Sequence, residues 1–160
     1  MTDHHENTGQ HSVVNSTFVL EYTYPAAPER VFAAWTSAEA KAAWFVSTQE
    51  GGSLSAPLSL DFRVGGAEHV AAVMADGAEY VYQGRYEDIV PDERIVATTQ
   101  MYKDQQRISV SVTTVEFAAA GDGTRLTLTE QGAYLDGLEE AKWREAGTRH
   151  QLEALGKQFR

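Results

Sequence analysis

The chain contains no cysteine among its 160 residues. Disulfides, thiolate metal sites and a thiol nucleophile are therefore excluded, and the composition fits a reducing compartment. The sequence also lacks an apolar run of the roughly 20 residues that a membrane-spanning helix needs. The first residues, MTDHHENTGQHS, contain no apolar signal core. We therefore expect a cytoplasmic protein with no membrane partner.

Basic residues are scarce. The 13 Lys and Arg stand against 23 Asp and Glu, which gives a formal net charge of -10. Such a surface repels phosphate backbones, and no basic cluster occurs that could reverse this locally, so no nucleic-acid partner is expected. The motifs G-x-S-x-G and H-E-x-x-H are absent, and His69 and His150 lack a metal-ligand spacing with carboxylates. We expect neither a metal nor a cofactor.

The length and the 42% hydrophobic content are sufficient for one domain with one core. Residues 1–15 are polar and predict a flexible N-terminal tail, which contains His4, His5 and His11. We assign no metal site to these histidines. Residues 16–160 are predicted to form a single domain.

The spacing of the hydrophobic residues changes twice along the chain, from the alternation of a strand to the spacing of a helix and back. Alternation in STFVLEYTYP predicts a first strand, and helical spacing in APERVFAAWTSAEAKAAWF predicts two short helices, the second capped by Ser37. From residue 57 the period of two returns for about 75 residues and predicts six more strands, joined as antiparallel hairpins. Gly65 and Gly66 precede another alternating stretch, AEHVAAVM, and so indicate a hairpin and not a phosphate-binding loop.

A long helix is predicted at the end of the chain, with Asp136 as its N-cap. Gly147 in the middle of this helix indicates a close approach to a neighbour, for which we favour the sheet. A seven-stranded sheet that curls around one helix encloses more space than the helix fills, so a cavity is expected between them. The apolar stripe of the helix is predicted to comprise Leu138, Ala141, Glu145, Thr148, Leu152, Leu155 and Phe159.

The element order and several motifs resemble the START-like or Bet v 1-like (SRPBCC) helix-grip superfamily, in the branch related to the activator of Hsp90 ATPase. The motifs are YPAAPERVFAAWTSAEAKAAWF, DFRVGG, YEDIVPDERIV, TVEF, GDGTRLTLTEQG and REAGTRHQLEALG, and the resemblance covers about residues 17–159. It implies an α+β helix-grip fold, in which a seven-stranded curved antiparallel sheet wraps around a long C-terminal helix. It also implies a cup that usually accepts apolar small molecules, but no single activity.

Strand parity predicts which side chains face the cup. Leu126, Leu128 and therefore Glu130 point inward on one strand. Glu130 is then either an acid or base in the pocket or, as we favour, a salt-bridged or solvated group at its open rim. Tyr80, Tyr82 and Tyr86 share a face of another strand, and the alternation leaves open whether this face is inward, where it suits aromatic ligands, or outward. The predicted ligand-binding residues are Trp35, Trp44, Phe62, Tyr80, Tyr82, Met101, Ser109, Ser111, Thr113, Leu128, Glu130, Tyr134, Thr148 and Leu152.

Three functions are compatible with this pattern. The leading hypothesis is a non-enzymatic binder of a hydrophobic small molecule, held between the sheet and the last helix. The first alternative is an enzyme of the polyketide cyclase or aromatase type, with Glu130 as acid or base and Tyr134 as a polarising hydrogen-bond donor. The second is a protein-interaction module: a homodimer is left open, and we do not expect a chaperone partner.

Overall fold

The computed structural model describes residues 11–46 and 52–160. The strands and helices follow the predicted order, and three residues at the end form a 3-10 turn, Lys157–Phe159. The strands are β1 (Val13–Tyr24), β2 (Ser53–Leu60), β3 (Ala67–Val73), β4 (Glu79–Val90), β5 (Arg94–Lys103), β6 (Gln106–Ala120) and β7 (Gly123–Leu135). The helices are α1 (Pro28–Ala33), α2 (Ala38–Phe45) and α3 (Ala141–Gly156).

The strands form one antiparallel sheet in the order β1-β7-β6-β5-β4-β3-β2. Strands β2 to β7 are therefore a meander in which each strand pairs with the next, and β1 joins the β7 edge. The predicted helix-grip arrangement of a seven-stranded curved sheet, two short helices and a long C-terminal helix is confirmed.

The Gly65-Gly66 pair forms the turn between β2 and β3, as predicted. Gly65 has a φ of 86°, and a Cβ on Gly66 would lie 1.9 Å from the carbonyl oxygen of Asp61. Both positions therefore require glycine. The turn also contacts β4, because the Gly65 amide donates to the Tyr86 carbonyl at 2.7 Å and the Tyr86 amide donates to the Gly66 carbonyl at 3.0 Å. The glycine turn thus fixes the position of Tyr86.

The two short helices pack their aromatic faces against the sheet. Ser37 caps α2, since its hydroxyl accepts from the Ala40 amide at 3.2 Å, as predicted. Trp35 and Trp44 are buried with their ring centroids 4.5 Å apart. The indole of Trp44 donates to the Ala34 carbonyl at 2.9 Å. This bond joins the two helices and holds Trp44 against the interior.

The last helix differs from its prediction at its N-terminus and at Gly147. It begins at Ala141, and Asp136, the expected N-cap, instead has a φ of 57° in the turn after β7. Gly147 is exposed and has no neighbour near its Cβ position, so its predicted close approach to the sheet is wrong. Gly156 makes that approach: a Cβ there would lie 3.0 Å from the ring of Tyr24. The helix therefore packs most closely on the sheet at its C-terminal end.

Strand β1 begins at Val13, three residues before the predicted start of the domain, and Val13 pairs with Leu135. The backbone ladder with β7 is independent of side-chain polarity, which explains why polar Asn15 and Ser16 belong to the strand. His4 and His5 lie outside the described residues. Within the described ranges, no helix is long and apolar enough to cross a membrane.

Candidate functional site

A cavity of about 210 Å³ lies between the sheet, α2 and α3. Apolar side chains from all three elements form much of its wall, including Trp35, Phe45, Ile95, Val115 and Leu152. The fully buried Leu152 and Leu155 fix α3 on the core beside this space. The expected space between sheet and helix is therefore present.

Ten of the fourteen residues predicted to bind a ligand line this cavity. They are Trp35, Trp44, Tyr80, Tyr82, Met101, Thr113, Leu128, Glu130, Thr148 and Leu152. Four do not line it: Phe62, Ser109, Ser111 and Tyr134. Binding by any of the fourteen remains a prediction, but their placement divides them into residues that a ligand in this cavity can contact and residues that it cannot.

The four residues outside the cavity lie in different surroundings, and the buried hydroxyl of Tyr134 has no hydrogen-bond partner among the described residues. Phe62 packs edge-on against Phe32 and Tyr86, with ring centroids 5.7 and 5.0 Å apart. Ser109 accepts a hydrogen bond from Arg144. Tyr134 is buried, with the Arg144 guanidinium 5.8 Å from its ring centroid, and burial raises its pKa to about 12. Ser111 is also buried, and its hydroxyl has no partner among the described residues.

The tyrosine-rich face of β4 points into the cavity, which answers the question that alternation left open. Tyr80, Tyr82 and Tyr86 all line it. Tyr82 packs against Phe45 with centroids 5.2 Å apart, and it makes no side-chain hydrogen bond to a described residue. Burial, followed by the nearby carboxylates of Glu68 and Glu130, raises the pKa of Tyr82 well above its usual value. Tyr82 therefore presents a neutral hydroxyl near both acids.

One buried ion pair on the cavity wall joins α2 to β3. Lys41 and Glu68 are 4% and 3% exposed. The Lys41 ammonium donates to Glu68 Oε1 at 3.0 Å and lies 2.7 Å from Oε2, a contact between charges without a well-aligned hydrogen bond. The Tyr86 hydroxyl also donates to Oε1, at 2.8 Å. The ammonium otherwise faces aromatic rings, 4.4 Å from the centroid of Phe45 and 5.4 Å from that of Trp35.

A second buried ion pair joins α3 to β7. Arg144 Nη1 donates to Glu130 Oε2 at 2.8 Å. The same guanidinium binds Glu139 in a bidentate manner, at 2.9 Å from Nε and 2.7 Å from Nη2. Burial alone would lower the pKa of Arg144, but the two carboxylates outweigh it and the pKa is raised. Arg144 stays charged and holds β6, β7 and the turn before α3 together.

Sequence reasoning missed Lys41, Glu68 and Arg144. Lys41 precedes Trp44 by one helical turn and so shares its buried face, while Glu68 shares the inward parity of Val70 on β3. Both signals were available in the spacing. Arg144 is harder to find, because it and Glu145 both lie one turn before Thr148 and either can flank the stripe.

Glu145, which was predicted in the apolar stripe, pairs with Arg149 on the outside at 2.9 Å. Arg144 takes the inward position because the buried carboxylate of Glu130 lies opposite it. His150 is exposed, away from the cavity. Within residues 11–46 and 52–160, no three His, Cys, Asp or Glu side chains are arranged to hold a metal ion.

Comparison with protein families agrees with this geometry. The family model described as activator of Hsp90 ATPase homolog 1-like protein matches residues 25–160. The chain belongs to this family. The match extends from the start of the short helices through the end of α3, so it includes every residue of the cavity wall. A search of curated proteins finds no match.

Several solved bacterial structures resemble this chain. The Mll3558 protein from Rhizobium loti is 46% identical, with a TM-score of 0.83 and coverage of 91% of this chain and 98% of that one. An uncharacterised protein from Rhizobium leguminosarum is 38% identical, with a TM-score of 0.86 and coverage of 92% and 95%. Protein CV1439 from Chromobacterium violaceum is 26% identical, with a TM-score of 0.73 and coverage of 89% and 96%.

Proposed function

We propose that the protein binds a small apolar molecule in the cavity between the sheet and α3. The observation that carries this proposal is the space of about 210 Å³, with aromatic and aliphatic walls, between the sheet, α2 and α3. Ligand sites are typically concave spaces with mostly apolar walls and a few polar groups, and this space has that character. The family fold, which typically binds ligands, supports the same function.

The size of the cavity limits the ligand. An engineered apolar cavity of about 150 Å³ accepts benzene, so 210 Å³ corresponds to a molecule of about eight or nine non-hydrogen atoms. A single substituted ring or a compact bicyclic molecule meets this limit. The T-shaped and tilted aromatic rings of Trp35, Trp44, Phe45 and Tyr82 favour a flat ligand among those of suitable size.

The cyclase-type alternative needs Glu130 and Tyr134 to act on one ligand. Glu130 lines the cavity, but Tyr134 lies outside it beneath Arg144. Glu130 is also ion-paired with Arg144 at 2.8 Å, so its carboxylate is held in position and is not free to act as an acid or base. The interaction-module alternative predicts a molecule without an accessible cavity. The geometry therefore favours binding over either alternative.

The test is to fill the cavity. Ala97 lies on its wall, and Ala97→Leu adds three carbon atoms to this space, whereas Ala119→Leu adds them to an exposed site on β6. Titration with 4-ethyltoluene, followed by tryptophan fluorescence, to which Trp35 and Trp44 on the wall and the exposed Trp143 contribute, is expected to show binding to the wild type and to Ala119→Leu. Ala97→Leu should bind at least about tenfold more weakly while unfolding at a similar temperature. Equal binding by both variants, or none by the wild type, would refute the proposal.

A further inference from the structure

We infer that the ligand of this cavity carries a hydrogen-bond donor, a hydroxyl or an amine, and that Glu130 accepts the bond. This inference rests on the proposed function and adds the chemical class of the ligand to it. It depends on how the Arg144 guanidinium shares its hydrogen bonds between the carboxylates of Glu130 and Glu139.

Glu130 has spare capacity to accept hydrogen bonds. It is 5% exposed and lines the cavity. Its Oε2 is bound by Arg144, but the one contact to Oε1 from the described chain is the Thr113 hydroxyl at 3.4 Å, longer than a normal O–H···O bond. A carboxylate accepts about four hydrogen bonds, and a buried acceptor that lacks them is unfavourable. A donor on the ligand would supply the missing bond.

Arg144 has little to offer a ligand. Glu139 takes two of its N–H groups, Ser109 a third and Glu130 a fourth. Glu139 does not line the cavity, so the guanidinium is turned toward the turn before α3 as much as toward the ligand space. An anionic ligand would have to displace Glu139 or Glu130 from this pair.

The charges on the wall also disfavour an anion. Two carboxylates share the Arg144 guanidinium, which gives that cluster a formal charge of -1. Lys41 and Glu68 form a neutral pair, and the second oxygen of Glu68 is buried against the ammonium at 2.7 Å. Because charges interact strongly where water is excluded, a carboxylate on the ligand would be repelled and a donor attracted.

The experiment measures the affinity of the wild type for ligands of similar size by calorimetry at pH 7. 4-Ethylphenol and 4-ethyltoluene differ only by a hydroxyl in place of a methyl group, so their ratio isolates the donor. We expect 4-ethylphenol to bind about tenfold more tightly. 4-Methylbenzylamine and benzoate have the same number of non-hydrogen atoms as 4-ethyltoluene; the amine should bind more tightly than 4-ethyltoluene, and benzoate should bind more weakly.

Three variants locate the acceptor. Glu130→Met should bring the affinities for 4-ethylphenol and 4-ethyltoluene to within about twofold of each other while 4-ethyltoluene still binds. Glu139→Gln, which removes the charge of the other partner of Arg144 outside the cavity, should keep the preference. Glu68→Gln should also keep it. Loss of the preference in Glu68→Gln alone would overturn the assignment to Glu130.

The wild-type comparison decides the matter even where a variant fails to fold. Equal binding of 4-ethylphenol and 4-ethyltoluene would overturn the inference and leave the proposed function intact. Tightest binding of benzoate would overturn it in favour of an anion site. Binding of none of these compounds would refute the proposed function itself.

Discussion

The two buried ion pairs of the cavity wall are similar in composition but different in their surroundings. Lys41 and Glu68 form a one-to-one pair supported by the Tyr86 hydroxyl and two aromatic rings. Arg144 pairs with two carboxylates. It binds Glu139, which lies outside the cavity, through two hydrogen bonds and Glu130 through one. Glu130 is left with one strong partner and one long contact.

This difference indicates that the Lys41–Glu68 pair is structural, whereas Glu130 in the Arg144 cluster is a candidate for ligand binding. A buried charge that loses its only partner is strongly unfavourable, so the Lys41–Glu68 pair should be important for the folded state. The Arg144 cluster tolerates the loss of one carboxylate, because the other remains. Within this cluster, Glu130 can accept further hydrogen bonds and lines the cavity. A polar group on a mostly apolar wall is typical of a residue that orients an apolar ligand.

The largest expected effect follows from breaking the first pair. Lys41→Met should lower the free energy of unfolding by about 3–5 kcal/mol, because Glu68 keeps its burial but loses its counter-charge. Glu130→Met should lower it by only about 1–2 kcal/mol, because Arg144 keeps Glu139 and Ser109. Urea unfolding of both variants at pH 7 measures the difference.

The control for this comparison is the double variant Lys41→Met with Glu68→Gln, which removes both charges. It should recover most of the loss caused by Lys41→Met. If Lys41→Met and Glu130→Met destabilise equally, the distinction between the two pairs is wrong.

A smaller effect should appear at alkaline pH. Burial and the adjacent Glu68 raise the pKa of Tyr86 far above its ordinary value of 10.0, and burial raises that of Tyr134 to about 12. Below pH 10 both states of the chain keep these protons, and the stabilisation is complete. Above pH 10 the unfolded chain releases them first, so the free energy of unfolding falls as pH rises.

Tyr86→Phe and Tyr134→Phe should each reduce that fall by up to about 1.4 kcal/mol per pH unit. Urea unfolding between pH 9 and about 11 measures how the free energy of unfolding changes with pH. Loss of the Tyr86–Glu68 hydrogen bond in Tyr86→Phe lowers this free energy by a similar amount at each pH, so it does not change the slope. Unchanged slopes in both variants would mean that neither tyrosine is protected from ionisation.

The sequence predicted the sheet and most of the cavity because both depend on period and order. Alternation placed Leu126, Leu128 and Glu130 inward, and all three are buried. Gly65 and Gly66 were recognised as a hairpin because the residues after them alternate. Each of these features depends on neighbouring residues in one segment, so the sequence of that segment is enough to predict it.

The partners of the charged residues were not predictable in the same way. Arg144 and Glu145 satisfy the helical spacing equally, and the choice depends on Glu130, which lies on a different element. Tyr134 has the inward parity of Glu130 but is covered by Arg144, so parity alone could not exclude it from the cavity. Long-range packing decides such cases.

The location of a bound molecule tests the central claim most directly. Nuclear Overhauser contacts between 4-ethyltoluene and methyl-labelled protein distinguish the interior from the outer face of the sheet. Contacts to the methyl groups of Leu128, Leu152 and Met101, which line the cavity, are predicted. Contacts only to the exposed Val110 and Val112, or no contacts at a saturating concentration, would contradict binding in the cavity.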